Sequence, residues 1–204
     1  MRTAFEVKIC GLVRRCDVEL AAELGADYLG FVLAPHSPRR VSLQSLRELT
    51  RGLTGSGCRI VAVMADPGRE EILRAAEVAD RIQLHGSEPP ELMESLPEVR
   101  FWKAFHLTEQ AEVARLSGYR VERFVLDAAS GGSGVRCDWS VAADAARRWP
   151  VMLAGGISAE NVADAVGQVK PAGVDLSSSL ESSPGVKSKR KMMDFFKIVK
   201  ELQK

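Results

Sequence analysis

Cysteine is scarce and unpatterned in this chain. Its 204 residues hold four, Cys10, Cys16, Cys58 and Cys137, with no CxxC pair and no ligand-like spacing to His36, His85 or His106. That excludes a zinc framework and a disulfide scaffold, and the four read as reduced thiols. Long apolar runs are also missing. Nothing approaches the ~20 residues that span a bilayer, and MRTAFEVKIC has no apolar core of a secretory signal, so the expectation is a cytoplasmic protein with no membrane partner. An excess of one charge is absent too. With 28 basic and 27 acidic residues the net charge is +1, and no summed field recruits nucleic acid. The one basic cluster, KSKRK from Lys187 to Lys191, reads as a solvated face opening the last helix, although cations at a helix start oppose its dipole.

What is present is an alternation. At 46% hydrophobic, the chain can bury one sizeable core, and residues 1–204 read as one domain. Eight short apolar runs, EVKICG, YLGFVLA, CRIVAVMAD, RIQLHG, RFWKAF, VERFVLDA, VMLAGGI and GVDLSS, are separated by helix-like stretches such as DVELAAELG, SLQSLRELTRGL, REEILRAAEVA and SVAADAARRW, and MMDFFKIVKELQ closes the chain. Eight β-rich runs of this kind, each followed by a covering segment, predict a (β/α)8 TIM barrel of the α/β class. The alternative is an open doubly wound sheet, which would place its glycine-rich loop after the first strand, whereas the loops of that character here come last.

Those late loops follow the seventh and eighth runs. Gly155 and Gly156 remove the Cβ that would keep an anion from the backbone, and Ser177, Ser178 and Ser179 add donors. Ser158, with Asn161 behind it, reads as the N-cap of SAENVADAV, which would direct free amides and a positive helix end at the same anion. Either loop alone is ordinary punctuation. Two of them after consecutive strands, where barrels of this type hold phosphate, read as a phosphate cradle.

Barrel chemistry sits at the carboxyl ends of the strands. There the chain offers Cys10, the SPRR segment with Arg39, Gln83 and His85, Asp127, and Asp175. Alternation turns Lys8 and Cys10 inward if Ile9 faces helices, and Val125 and Asp127 inward if Phe124 and Leu126 face out. Strands one and six then stand roughly 13 Å apart at their Cα atoms, leaving the width of a sugar between the two side chains. Taken singly, Cys10 is a small buried hydrophobe, Asp127 a loop cap, Arg39 a surface cation and His85 a hydrogen-bonded structural residue.

The segments KICG, SPRR, QLHG, LDA followed by GGSG, LAGGISAENV and VDLSSSLESSPGVK, in this order between Val7 and Val186, resemble the phosphoribosylanthranilate isomerases of tryptophan biosynthesis. The resemblance implies an Amadori rearrangement of N-(5-phosphoribosyl)anthranilate to 1-(2-carboxyphenylamino)-1-deoxyribulose 5-phosphate, with no metal and no cofactor. It implies Cys10 as general base and Asp127 as general acid. It places Arg39 at the anthranilate end, Gly155, Gly156, Ser177, Ser178 and Ser179 around the phosphate, and Lys8, Gln83, His85, Gly132 and Asp175 among the substrate-binding residues. The chemistry suits those types. Opening the furanose needs a proton donor at the ring oxygen, and the resulting iminium acidifies the neighbouring C–H enough for a thiolate present in small amount. A guanidinium matches an aryl carboxylate as a planar fork. Ser179 stands where glycine is usual, which strains the cradle only if the position needs a positive φ. Ser133 and Cys137 stand in places usual for threonine and phenylalanine.

The other readings are a different phosphosugar isomerase or epimerase, and a catalytically silent barrel that binds a phosphorylated ligand. Helix faces carrying Phe195, Phe196 and Trp149 suit core or dimer contact equally, so monomer and homodimer both stay open.

Overall fold

In the computed structural model, which describes residues 5–53, 55–127 and 139–204, eight parallel strands close into a barrel. They are β1 (Glu6–Ile9), β2 (Tyr28–Val32), β3 (Arg59–Met64), β4 (Arg81–Leu84), β5 (Phe101–His106), β6 (Arg123–Asp127), β7 (Val151–Ala154) and β8 (Gly173–Leu176). Each is hydrogen-bonded to its sequence neighbours, and β1 closes the ring on β8, with Lys8 opposite Asp175. The expected barrel is the observed fold, and the open sheet is excluded by that closure.

Strand alternation divides the core into two layers. Ile9, Leu29, Phe31, Ile82, Leu84, Phe124, Leu126 and Leu153 face the surrounding helices. Cys10, Tyr28, Val61, Val63, Trp102, Ala104, Val125 and Met152 fill the inside, where Tyr28 and Trp102 meet edge to face with centroids 4.7 Å apart. The interior is crowded enough to need a glycine at Gly30: a Cβ there would lie 2.9 Å from the sulfur of Cys10 and 3.0 Å from Cε of Lys8.

The outer layer contains α1 (Arg15–Leu24), α2 (Leu43–Thr50), α3 (Arg69–Ala76), α4 (Pro90–Glu94), α5 (Trp139–Ala146), α6 (Val162–Val169) and α7 (Lys189–Leu202). After β5 the covering segment is a 3-10 stretch, Gln110–Gly118, whose start is held by Glu112 accepting from the backbone of Thr108 and Glu109. A short antiparallel hairpin, β9 (Glu181–Ser183) with β10 (Val186–Lys187), follows β8. Ser188 caps α7 by accepting from the Lys191 amide, and Met192, Phe195, Phe196 and Val199 form its buried stripe at helical spacing. Phe195 and Phe196 are thus core residues. Trp149 packs on the same core, edge-on to Phe124.

Two local expectations fail. The basic cluster is not uniformly solvated: Lys189, Arg190 and Lys191 are exposed, but Lys187, in β10, is buried with its ammonium held by Glu181 of β9 and the Ser177 carbonyl. Ser158 caps only the turn before α6, its Oγ accepting from the Glu160 amide and its carbonyl from the Val162 amide, and the regular helix does not begin beside it. Asn161 reaches back to accept from the Ser158 amide and donate to the Gly156 carbonyl, which holds a turn there and delays α6 to Val162. Among the described residues no helix is long and apolar enough to cross a membrane.

Candidate active site

A cavity of about 530 Å³ opens at the carboxyl ends of the strands. Cys10, Arg39, Gln83, His85, Asp127, Gly155, Gly156, Asp175, Ser177, Ser178 and Ser179 all line it. Lys8 does not; it lies fully buried beneath, its ammonium 2.8 Å from Oδ2 of Asp175. Gly132, Ser133 and Cys137 lie outside the described residues.

At one end the backbone itself is shaped for an anion. Gly155 and Gly156 take φ values of 82° and 70°, a region that L side chains avoid. Opposite them, Ser178–Leu180 forms a single 3-10 turn closed by the Leu180 amide on the Ser177 carbonyl. In such a turn the leading amides have no partner within the turn, so those of Ser178 and Ser179 are available to a ligand. Ser179 does not take a positive φ, since Asp66 and Lys170 are the only non-glycine residues that do so among those described. The serine therefore fits without backbone strain.

The candidate base and acid line the same cavity. Cys10 follows β1 and its amide donates to the Leu176 carbonyl of β8, which puts the thiol beside the serine loop. Asp127 ends β6, in register with His106 and Ala154. Burial pushes the Cys10 thiol above its ordinary value, the Lys8 ammonium opposes that, and Asp175 adds to it. Burial works against the Lys8 charge as well, yet Asp175 and the Cys10 sulfur outweigh it and hold the ammonium above the usual lysine value. His85 opens onto the mouth. Desolvation by the surrounding rim lowers its pKa, with Asp175 pulling the other way, so the ring is neutral at pH 7. Gln83 Oε1 and Asp175 Oδ1 are buried and find no hydrogen-bond partner among the described residues. Since both residues line the cavity, they offer acceptors to a polyol.

Arg39 is not a loose surface cation. Its Nε and Nη2 donate to the two carboxylate oxygens of Glu181 at 2.8 and 2.6 Å, which leaves the Nη1 edge for a ligand. Gly11, from KICG, makes this approach possible. It has φ 73°, and a Cβ there would stand 2.5 Å from Cδ of Arg39 and 3.0 Å from Oγ of Ser177. Glu181 escaped the sequence reading, and Lys187 entered it only as part of a solvated basic run. The only trace of their roles was position, an acid directly after a buried leucine and a lysine two residues after Gly185.

The loops after β3 and β4 form a second network. Glu88, buried, accepts from the amides of Asp66 (2.8 Å) and Gly86 (3.0 Å), and Asp66 accepts from the Ser87 amide (2.7 Å). The Lys103 ammonium lies 3.2 Å from Glu88 and donates to the Gly86 carbonyl. This arrangement clamps the segments that carry Ala65 and His85 into the cavity wall. Sequence patterning gave no signal for it, because Glu88 sits in an ordinary polar loop.

Residues 7–198 match the family described as N-(5'-phosphoribosyl)anthranilate (PRA) isomerase. The N-(5'-phosphoribosyl)anthranilate isomerase of Pelobacter propionicus is 36% identical over 202 residues, covering 96% of both chains. That of Geobacter sulfurreducens is 37% identical, covering 95% of this chain and 98% of its own. Among solved structures, the phosphoribosyl anthranilate isomerase of Thermotoga maritima superposes with a TM-score of 0.90 at 34% identity, over 97% of this chain and all of the other. A phosphoribosyl anthranilate isomerase in complex with reduced 1-(o-carboxyphenylamino)-1-deoxyribulose 5-phosphate superposes at 0.88 and 32%, with the same coverage.

Proposed function

The chain belongs to the N-(5'-phosphoribosyl)anthranilate isomerase family, and from that premise we propose how its cavity carries out the family's reaction within one 204-residue domain. The protein is an isomerase of tryptophan biosynthesis that converts N-(5-phosphoribosyl)anthranilate to 1-(2-carboxyphenylamino)-1-deoxyribulose 5-phosphate. The phosphate rests between Gly155–Gly156 and Ser177–Ser179, and the anthranilate carboxylate meets the Nη1 edge of Arg39. Asp127 gives its proton to the furanose oxygen as the bond from that oxygen to C1' breaks, which leaves an iminium between C1' and the aryl nitrogen. Cys10 then takes the proton from C2', and the electron pair moves to C1' and nitrogen to form an enolamine. Protonation at C1' and loss of the C2' hydroxyl proton give the ketose, so the sum is an isomerisation with nothing gained or lost.

The raised pKa of Cys10 fits this order of events. The base is needed only once a cationic iminium stands beside it, and an opposite charge at that distance favours the thiolate. Lys8 below acts in the same sense. Gln83 and Asp175 accept from the sugar hydroxyls, and neutral His85 hydrogen-bonds at the rim.

The observation that carries this reading is that Cys10 and Asp127, 117 positions apart in the chain, line one cavity with the glycine and serine loops. Incubation with N-(5-phosphoribosyl)anthranilate should extinguish the fluorescence of the substrate. Absence of turnover above background at ample enzyme would refute the assignment.

A further inference from the structure

We propose that Glu181 is a positioning residue that sets the separation between the two anion-binding ends of the cavity and so selects the length of the substrate. This rests on the isomerase reading for the identity of the two ends. Neither Glu181 nor Lys187 lines the cavity, and both are more than nine-tenths buried. One oxygen of Glu181 accepts from Arg39 Nε and from Lys187 Nζ (3.0 Å), and the other from Arg39 Nη2. Lys187 Nζ also donates to the carbonyl of Ser177 at 3.0 Å, at the root of the phosphate-side turn. A second lysine, Lys191, secures the Glu181 carbonyl at 2.7 Å.

A single carboxylate thus grips the arginine that follows β2 and, through one lysine, the serine loop that follows β8. Gly11 lies where these two meet and has no side chain to hold them apart. Charge-assisted bonds at these lengths are short and directional, and misplacement of a binding group by about 1 Å is enough to cost large factors in rate. Removing the charge of Glu181 sets three donors at odds, because a carboxamide turns an N–H₂ toward either Arg39 or Lys187.

The test uses inorganic phosphate as the one-ended probe and the reduced product, 1-(o-carboxyphenylamino)-1-deoxyribulose 5-phosphate in reduced form, as the two-ended one, with calorimetry for binding and steady-state turnover alongside. Glu181→Gln is expected to weaken phosphate several-fold and the two-ended ligand about tenfold more than that, and to raise KM with kcat changed by less than about threefold. Lys187→Met is expected to weaken both ligands by one common factor, since it cuts only the phosphate branch. Glu181→Asp keeps the charge with one methylene less, and is expected to recover part of the two-ended affinity; it carries the test if the glutamine variant does not fold. A mere folding role would lower the active fraction and kcat while leaving Kd and KM alone. Equal weakening of the two ligands in Glu181→Gln, or wild-type binding of both, overturns the proposal. Failure of the wild-type protein to turn over substrate would remove the isomerase reading, yet the binding comparison would still decide the role of Glu181.

Discussion

The two sides of the barrel mouth treat backbone amides in opposite ways. On the β7–β8 side, positive-φ glycines and a lone 3-10 turn line the cavity, and the leading amides of that turn have no partner within it. On the β3–β4 side, the amides of Asp66, Gly86 and Ser87 are taken by the protein's own carboxylates, Glu88 and Asp66. Gly86 permits this: Asp66 lies against its α-carbon so closely that no Cβ fits. An amide left unpaired is stable at a water-filled mouth and ready for an anion, whereas one closed by an internal anion becomes scaffold. The first side is the proposed anion site, the second holds the wall in place, and Cys10 and Asp127 line the same cavity.

Substitutions should separate the roles. The largest effect belongs to the proposed base and acid: Cys10→Ala and Asp127→Ala are each expected to lower kcat by about 10²- to 10⁴-fold while calorimetry shows inorganic phosphate bound as in the wild type. Weakened phosphate binding in either variant would mean that the binding side and the reactive pair are not separable.

Next comes the scaffold side. Glu88→Ala leaves the buried Lys103 ammonium without its counter-charge and should cost about 3–5 kcal/mol in urea unfolding, with phosphate affinity preserved in the folded fraction. A loss under 1 kcal/mol would show that the β3–β4 network is not structural.

Acid sharpens the comparison on the binding side. Although burial disfavours its charge, the Arg39 and Lys187 contacts hold Glu181 at a pKa of about 2, against an ordinary 4.5. A depressed folded-state pKa contributes stability that is full above 4.5 and is lost as pH falls toward 2, of order 3 kcal/mol for this group. Denaturant titrations over that window should therefore show a shallower decline for Glu181→Gln than for the wild type. Identical slopes would remove the ion pairs from the account of acid stability.

The smallest effect is expected from Gly156→Ala, which puts a side chain on a φ of 70°. It should lower stability by about 1–2 kcal/mol and weaken phosphate, whereas Gly118→Ala, with open space around it, should do neither.

Much of this arrangement was legible before folding. Alternation in KIC and FVLD assigned Lys8, Cys10 and Asp127 to the inside, and the paired glycines and serines marked the anion end. The same local logic failed at Ser158, where a competing side-chain loop from Asn161 ended the expected helix start. It failed again at Lys187, where a charge-run reading that suits Lys189 and Arg190 missed a strand pairing. Glu181 and Glu88 were invisible for a related reason. Each is an unremarkable acid in a polar stretch, and its meaning comes from partners such as Arg39, 142 positions away.

By itself the sequence determined the barrel, the inward faces of its strands and the residue types at their ends, because periodicity and glycine conformation act within a few residues of chain. Only the tertiary structure decided which carboxylates are buried beside which cations, how far Cys10 is shielded from water, and which amides are left open. Those outcomes depend on desolvation and on contacts between distant segments, such as β1 with β8.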